Sequence, residues 1–258
     1  MCLILFAWKS NPRNHLIVAA NRDEFIERPS RPASYWAEHP GLLGGKDLKA
    51  GGTWLGITTT GRFTAITNYR DLSNIKHDAP SRGKLTLDYL TSATPPRDYL
   101  ESIAPAGSKF NGFNLLVGDL NELFYYSNIE NRIQKLESGL YGLSNHLLDT
   151  DWPKVQTGKK MLSKAIGEVD PDPLALMEIL GNKKTASKKD LPDTGIPMEL
   201  EKGLSAMHIN MEEYGTVSST VFLASPNSFY FNERSYNKPW GIATDKEFQA
   251  RWSAVIPV

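Results

Sequence analysis

Cysteine is almost missing from this chain: Cys2 is the only one in 258 residues. A single thiol excludes an internal disulfide framework and a zinc site built from several cysteines. Charge of one sign is not in excess either. Lys+Arg and Asp+Glu both number 29, a formal net charge of zero, whereas a nucleic-acid binder carries a basic footprint. No apolar run approaches the roughly 18 residues of a membrane span. The N-terminal run has no cationic flank, so it does not read as a signal peptide. Histidines are few, and no two of His15, His39, His77, His146 and His208 share a helical metal spacing. These absences predict a cytoplasmic protein with no nucleic-acid partner, no transmembrane segment and no metal site.

What is present is organised around residues 2–6, read together with Asn21, Arg22, Asp23 and Glu24. Met1 precedes a small residue, so an aminopeptidase that removes it would leave Cys2 with a thiol and a free α-amine. A thiol whose base is its own amine is the cysteine counterpart of the threonine and N-terminal-amine pair. A neighbouring arginine favours the thiolate. The alternative is a small apolar residue in a first strand, the usual state of a free cysteine.

Residues 2–8 are continuously apolar, and 16–20 follow after the turn-rich Ser10, Asn11, Pro12 and Asn14. Such runs predict two buried strands in a hairpin, covered on both faces within a layered structure. In an antiparallel hairpin the first strand starts where the second ends, so Cys2 and residues 21–24 fall at one sheet edge.

Pro29 and Pro32 bar residues 28–32 from a helix interior or a central strand. Gly44, Gly45 and the glycines of 51–56 indicate tight turns and close backbone approach. No Gly-Lys-Ser/Thr follows, so they are not a phosphate loop. A second hairpin is predicted over 54–57 and 63–67, ending in Asn68, Tyr69, Arg70 and Asp71. Asn68 there serves either an oxyanion or the turn itself. Helices are predicted over 81–92, 97–103, 151–167 (capped by Asp151) and 173–180, and strands over 113–118, 123–126 and 140–145. Residues 183–201 turn polar and read as a mobile, solvated loop. A hairpin over 217–224 and 229–231 and a short helix over 245–252 close one domain spanning 1–258. The order is that of an α+β fold, with a mainly antiparallel sheet pair between helical layers.

Cys2, the run from Asn21 to Glu24, the glycine-rich stretch around Thr53, Trp54 and Leu55, and the runs 67–71, 111–115 and 141–146 together resemble the NRDE family, the transport and Golgi organisation protein 2 family. Spaced motifs in the right order carry this resemblance over essentially the whole chain. The family is similar in turn to N-terminal-nucleophile (Ntn) hydrolases of the bile-salt and penicillin amidase kind, which implies a four-layer αββα sandwich. It also implies roles. Cys2 would be nucleophile and, through its amine, base. Arg22 and Asp23 would orient and polarise it, and Asn68 and Asn145 would hold the oxyanion. The implied chemistry is acyl transfer at an amide or thioester through an acyl-enzyme, a small-molecule reaction for which no cofactor is required. One position departs from the family pattern: Val217 stands where Gly-Thr-Arg-Ser is usual, removing a charge and up to five donors.

The resemblance points a second way as well, because family members are implicated in intracellular handling of haem and of acyl-CoA or lipid. Both ligands join a greasy body to anionic groups. A pocket lined by Trp54 and Phe63, with Asn21, Glu24, Arg70 and His146 as further binding residues and Arg22 or Arg70 at its mouth, would suit them. Haem would then be cargo, with Cys2 or His146 facing it. Three readings compete: a handler of a small amphipathic anion, a cysteine amidohydrolase or thioesterase, and a scaffold for protein partners. The first is expected.

Overall fold

The opening apolar run forms strand β1 (Cys2–Trp8) and the next forms β2 (Leu16–Phe25). In the computed structural model, which describes residues 2–167, 170–237 and 241–253, the two pair antiparallel, with Cys2 opposite Arg22 and Trp8 opposite Leu16. The predicted edge is therefore real. β10 (Gly139–Leu143) flanks β1, while β11 (Tyr214–Ala224), β12 (Ser228–Asn237) and β13 (Gly241–Arg251) extend the sheet beyond β2. The second sheet is a meander of β3 (Ser30–Trp36), β4 (His39–Asp47), β5 (Leu55–Thr58), β6 (Phe63–Asn68), β7 (Phe113–Gly118), β8 (Leu123–Ser127) and β9 (Arg132–Lys135).

Side-chain alternation along β1 sorts the core into layers. Ile4, Phe6 and Trp8, with Val18 and Ala20, meet Leu43, Leu55, Ile57 and Ala65 of the second sheet. Leu3, Leu5 and Ala7 face the other way, onto α3 (Pro153–Ala165) and α4 (Pro173–Leu180) through Val155, Leu162, Leu176 and Leu180. The outer face of the second sheet packs Leu115, Val117 and Tyr126 on α1 (Gly83–Thr91) and α2 (Pro96–Ile103). The order is helices, sheet, sheet, helices: the αββα sandwich. Each fully buried Leu or Phe contributes roughly 1.5–3 kcal/mol, so the strands are fixed by their middles and their ends are left to carry polar groups.

Three local expectations are corrected. Residues 245–251 of the expected 245–252 helix lie in β13 instead, because β13 pairs with β12 from Ser228 opposite Arg251 to Asn237 opposite Gly241. Asp151 does not cap α3; it accepts from Gln156 Nε2 at 2.6 Å, and Trp152 holds the cap position. The polar stretch 183–201 contains a 3-10 turn (Lys188–Asp190) and the start of α5 (Met198–Leu204). Strand β3, which contains Pro32, sits at the sheet edge where a missing N–H is tolerated. Among the described residues no helix is long and apolar enough to cross a membrane.

Candidate functional site

Cys2, Arg22 on β2, Ser218 on β11 and Ser235 on β12 are successive cross-strand partners, and so form one row at the sheet edge. Period-two alternation puts the first two on the side facing the second sheet. There the Arg22 guanidinium lies over the Trp54 indole, 4.3 Å from its centroid. Its Nη2 is 3.8 Å from a carboxylate oxygen of both Glu24 and Asp47, while Arg28 holds Asp47 more closely, at 2.7 Å. Arg22 Nη1 is buried without a hydrogen-bond partner among the described residues. Gly45 makes this stack possible: a Cβ there would fall 2.1 Å from the Trp54 ring. Gly52 is a second close approach, where a Cβ would meet the Gly83 carbonyl at 2.2 Å.

Cys2, Arg22, Trp54, Asn68 and Arg82 line a polar cleft of about 370 Å³. It adjoins an apolar lobe of about 460 Å³ lined by Phe25, Leu72, Ile75, Ile196, Leu200 and Tyr214. Glu24, Asn68, Arg82 and Asn111 line both, so they form a waist between the two. A larger groove, about 510 Å³, lies by Asp170, Tyr230 and Arg251 and shares no residue with either. The roof of the apolar lobe comes from α5 and the chain before it. That roof is latched from below: Arg70 Nη1 donates to Glu201 Oε2 at 2.8 Å and to Thr194 Oγ1 at 3.1 Å.

Asp23 is buried on the helical side of the sheet. Thr216 Oγ1 donates to its Oδ1 at 2.7 Å, and Tyr214 donates to its carbonyl at 2.8 Å. Burial raises its pKa, and the nearby Lys154 charge acts against that rise. Lys154, on the first turn of α3, is only 3% exposed, and its Nζ has no hydrogen-bond partner among the described residues. Burial pulls its pKa down to about 8, against the attraction of Asp23. Burial likewise pushes the Cys2 thiol up; the Asp23 charge adds to this and Arg22 opposes it.

The sequence pattern singled out neither Lys154 nor Arg82. A lysine opening a helix ordinarily lies in solvent, and near the positive end of the helix dipole a cation is disfavoured. The available signal was its position beside Trp152 and Val155, both buried. Arg82 lies before α1 and donates to the Gly112 carbonyl at 3.0 Å.

Of the predicted site residues, Cys2, Arg22, Glu24, Trp54 and Asn68 converge on the polar cleft, with Asp23 also at its lining. Asn145 lines the apolar lobe and gives one amide hydrogen to the Asn68 carbonyl at 2.9 Å. Ser144 Oγ ties the same segment to the Cys2 carbonyl at 3.0 Å. Asn21 does not face the cleft. It donates to the carbonyls of Leu180 and Met207 at 2.9 and 2.8 Å and accepts from Ser219, because alternation turns it toward the helices. His146 is likewise held in packing, with Tyr69 on Nε2 at 3.0 Å and Thr150 on Nδ1 at 2.9 Å. Arg70 lines the lobe, but its guanidinium serves the latch and lies over Trp152. Phe63 is core, stacked on Phe222 at 5.7 Å, and lines no cleft described above. Val217 sits at a β-bulge and lines a separate cavity behind Trp54, outside the lining of the Cys2 cleft. Among the described residues no group of three or more metal-ligating side chains forms.

Comparison with known proteins places the chain in a family. A Transport and Golgi organization protein 2 homolog from Bos taurus is 36% identical over 261 residues, spanning 91% of this chain and 93% of that protein. The Mus musculus homolog is 35% identical over the same shares. Among solved structures, the Caenorhabditis elegans ortholog of N-acylethanolamine-hydrolyzing acid amidase is similar at a TM-score of 0.48 and 11% identity, covering 86% of this chain and 92% of that one. At that level the likeness assigns no role to any residue here. The family model for Transport and Golgi organisation 2 matches residues 1–238, and the chain belongs to that family.

Proposed function

We propose that the chain binds and handles a small amphipathic anion. The apolar body lies in the lobe between residues 72–75 and α5, and the anionic head reaches through the waist to Arg82, Arg22 and Cys2. The observation that carries this reading is the two-part cleft, apolar at one end and polar at the other, where Arg22, Arg28, Lys49 and Arg82 stand among Asp23, Glu24 and Asp47. Its size falls within the range of small-ligand pockets. A buried cationic donor without a partner is destabilising by about 1–3 kcal/mol. An anionic head placed on Arg22 Nη1 would remove that penalty, and a guanidinium matches carboxylate or phosphate geometry. Acyl-CoA and haem belong to this ligand class, as does a lipid-like amide that carries a carboxylate or other anionic group.

A second reading, hydrolysis, is favoured by Cys2 and Asn68 lining the same cleft. It requires that Met1 be removed. The Cys2 thiol would then lose its proton to its own α-amine and attack the carbonyl carbon of an amide or thioester, with Asn68 donating to the oxyanion. The C–N or C–S bond would break with the proton passing to the leaving group, and water would release the acid and restore the thiol.

Intact mass and ligand titration test both readings. Palmitoyl-CoA and hemin are titrated against the wild type, Cys2→Ala and Arg22→Met. Stoichiometric binding of either ligand, retained in Cys2→Ala and weakened ten- to a hundredfold in Arg22→Met, is expected from loss of a charged hydrogen bond of about 1.5–3 kcal/mol. Turnover that disappears in Cys2→Ala, in material one methionine lighter, selects hydrolysis instead. Neither binding nor turnover overturns both.

A further inference from the structure

Behind Trp54 lies a smaller cavity of about 140 Å³, walled by β3, the bulge of β11 and β12, and lined by Arg28, Arg31, Trp54, Ser218 and Glu233. It shares Arg28 and Trp54 with the Cys2 cleft and is otherwise distinct from it. Ser218, in its lining, is 4% exposed, and its hydroxyl is buried with no hydrogen-bond partner among the described residues. Buried polar groups ordinarily find partners, and a hydroxyl left over at a cavity wall indicates something that completes it.

We propose that this cavity is a second binding site, for a small carboxylate anion, in which Ser218 donates to the anion and Arg28 and Arg31 supply its countercharge. The volume would hold roughly four or five waters at about 30 Å³ each, which suits an acetate-sized molecule and excludes the amphipathic ligand proposed above. Planar guanidinium forks match a carboxylate's two oxygens better than they match a spherical ion.

Glu233 sets the condition under which the anion enters. It is fully buried, and its Oε1 accepts from the Ala33 N–H at 2.6 Å. The charges that face it are Arg22 on β2 and Lys246 on β13, with Arg28 and Arg31 at the cavity wall. Burial nevertheless outweighs them and raises its pKa to about 7. Below that pH the carboxyl is neutral and can donate its proton to the anion; above it, two negative charges would compete for one small cavity. Binding thus tightens as pH falls through neutrality.

Thermal unfolding of the full chain, followed while sodium acetate replaces sodium chloride at constant ionic strength, tests the site at pH 6 and pH 8. Wild type should show saturable stabilisation with a midpoint concentration about tenfold lower at pH 6, since a single titrating carboxyl changes its protonated fraction by about that factor across this interval. Ser218→Ala should raise the midpoint about tenfold. Arg31→Gln, at an exposed position, should weaken binding without disturbing the fold. Glu233→Gln should bind equally at both pH values. Ser218 and Arg31 line this cavity and neither part of the larger cleft, so their effects separate this site from the amphipathic-ligand reading. Absence of saturable acetate stabilisation, or an unchanged midpoint in both Ser218→Ala and Arg31→Gln, overturns the proposal and leaves a water-filled cavity.

Discussion

Replacing Glu201 by glutamine should loosen the roof of the apolar lobe while leaving the body of the sandwich intact. Glu201 and Arg70 are both about 5–6% exposed and bonded at 2.8 Å. Thr194 adds its hydroxyl and, at 3.2 Å, its backbone N–H to the same carboxylate. Removing one partner of a buried pair destabilises by roughly 3–5 kcal/mol. Glutamine keeps an accepting oxygen, so the lower end, about 3 kcal/mol, is the expected loss. Lys154, whose charge is also balanced in part by Glu201, keeps the figure from falling further. Because these bonds join residues 190–204 to the body and do not hold the sheets together, the loss should appear as local opening. At about 1.4 kcal/mol per tenfold, amide exchange in 190–204 should accelerate about a hundredfold, read by mass spectrometry of peptides from that stretch. The urea midpoint of global unfolding should move little. Unchanged exchange in 190–204, or a global loss of stability with no local acceleration, would refute the latch.

Other outcomes follow from groups at or near the site. Alkylation of Cys2 by iodoacetamide should have its pH inflection above the ordinary thiol value, because burial raises the pKa, and Asp23→Asn should shift that inflection downward; an inflection at or below the free-thiol value would contradict the desolvation argument. His208 is buried against Tyr236, and burial lowers its pKa from 6.5 to about 4. A base depressed in the folded state carries no penalty above pH 6.5, and stability is lost as pH falls from there toward 4, by about 3 kcal/mol in all. Urea midpoints across that window should show the slope in wild type and a clearly smaller one in His208→Gln. Gly45→Ala should push Trp54 off Arg22, since its Cβ would fall 2.1 Å from the ring. A loss of about 1–3 kcal/mol is expected from such overpacking, with an altered near-ultraviolet circular dichroism band; unaltered stability and spectrum would show that the stack gives way without strain.

The central strands were legible because both faces of each sheet are covered, so β1 and β2 read as unbroken apolar runs, and their antiparallel pairing followed at once. The edges were not. β3 and β4 are interrupted by Pro32, Gly44 and Gly45, and their pairing shifts register twice. Residues 241–251 are rich in helix-forming side chains, yet their contact with β12 along its whole length overrides propensity. The convergence of Cys2, Arg22 and Glu24 needed only the hairpin. The opposite orientation of Asn21 was equally available from period-two alternation, since it is one residue from Arg22. The Arg70–Glu201 latch was not available, because it depends on how α5 settles against the sheet, a long-range outcome with no local pattern, and for Lys154 the local signal was confined to its apolar neighbours Trp152 and Val155.

The row from Cys2 to Ser235 gives the site a parity. Every residue of β1 belongs to one of two layers according to whether its number is odd or even, and Cys2 shares the even layer with Ile4, Phe6 and Trp8. One residue inserted between Cys2 and Leu3 would turn the thiol toward the helices and away from Trp54 and Arg22, with the apolar core left in place. Two inserted residues would restore its direction and move it about 7 Å along the strand axis, beyond the end of Arg22's pairing. The turn at residues 9–15, by contrast, lies at the far end of the hairpin, so a change in its length leaves the directions of Cys2 and Arg22 unaltered and is felt instead in the bonds that Asn11 makes there. Tolerance to insertion therefore alternates along this hairpin, and a scan of single and double insertions would map the cleft without any ligand in hand.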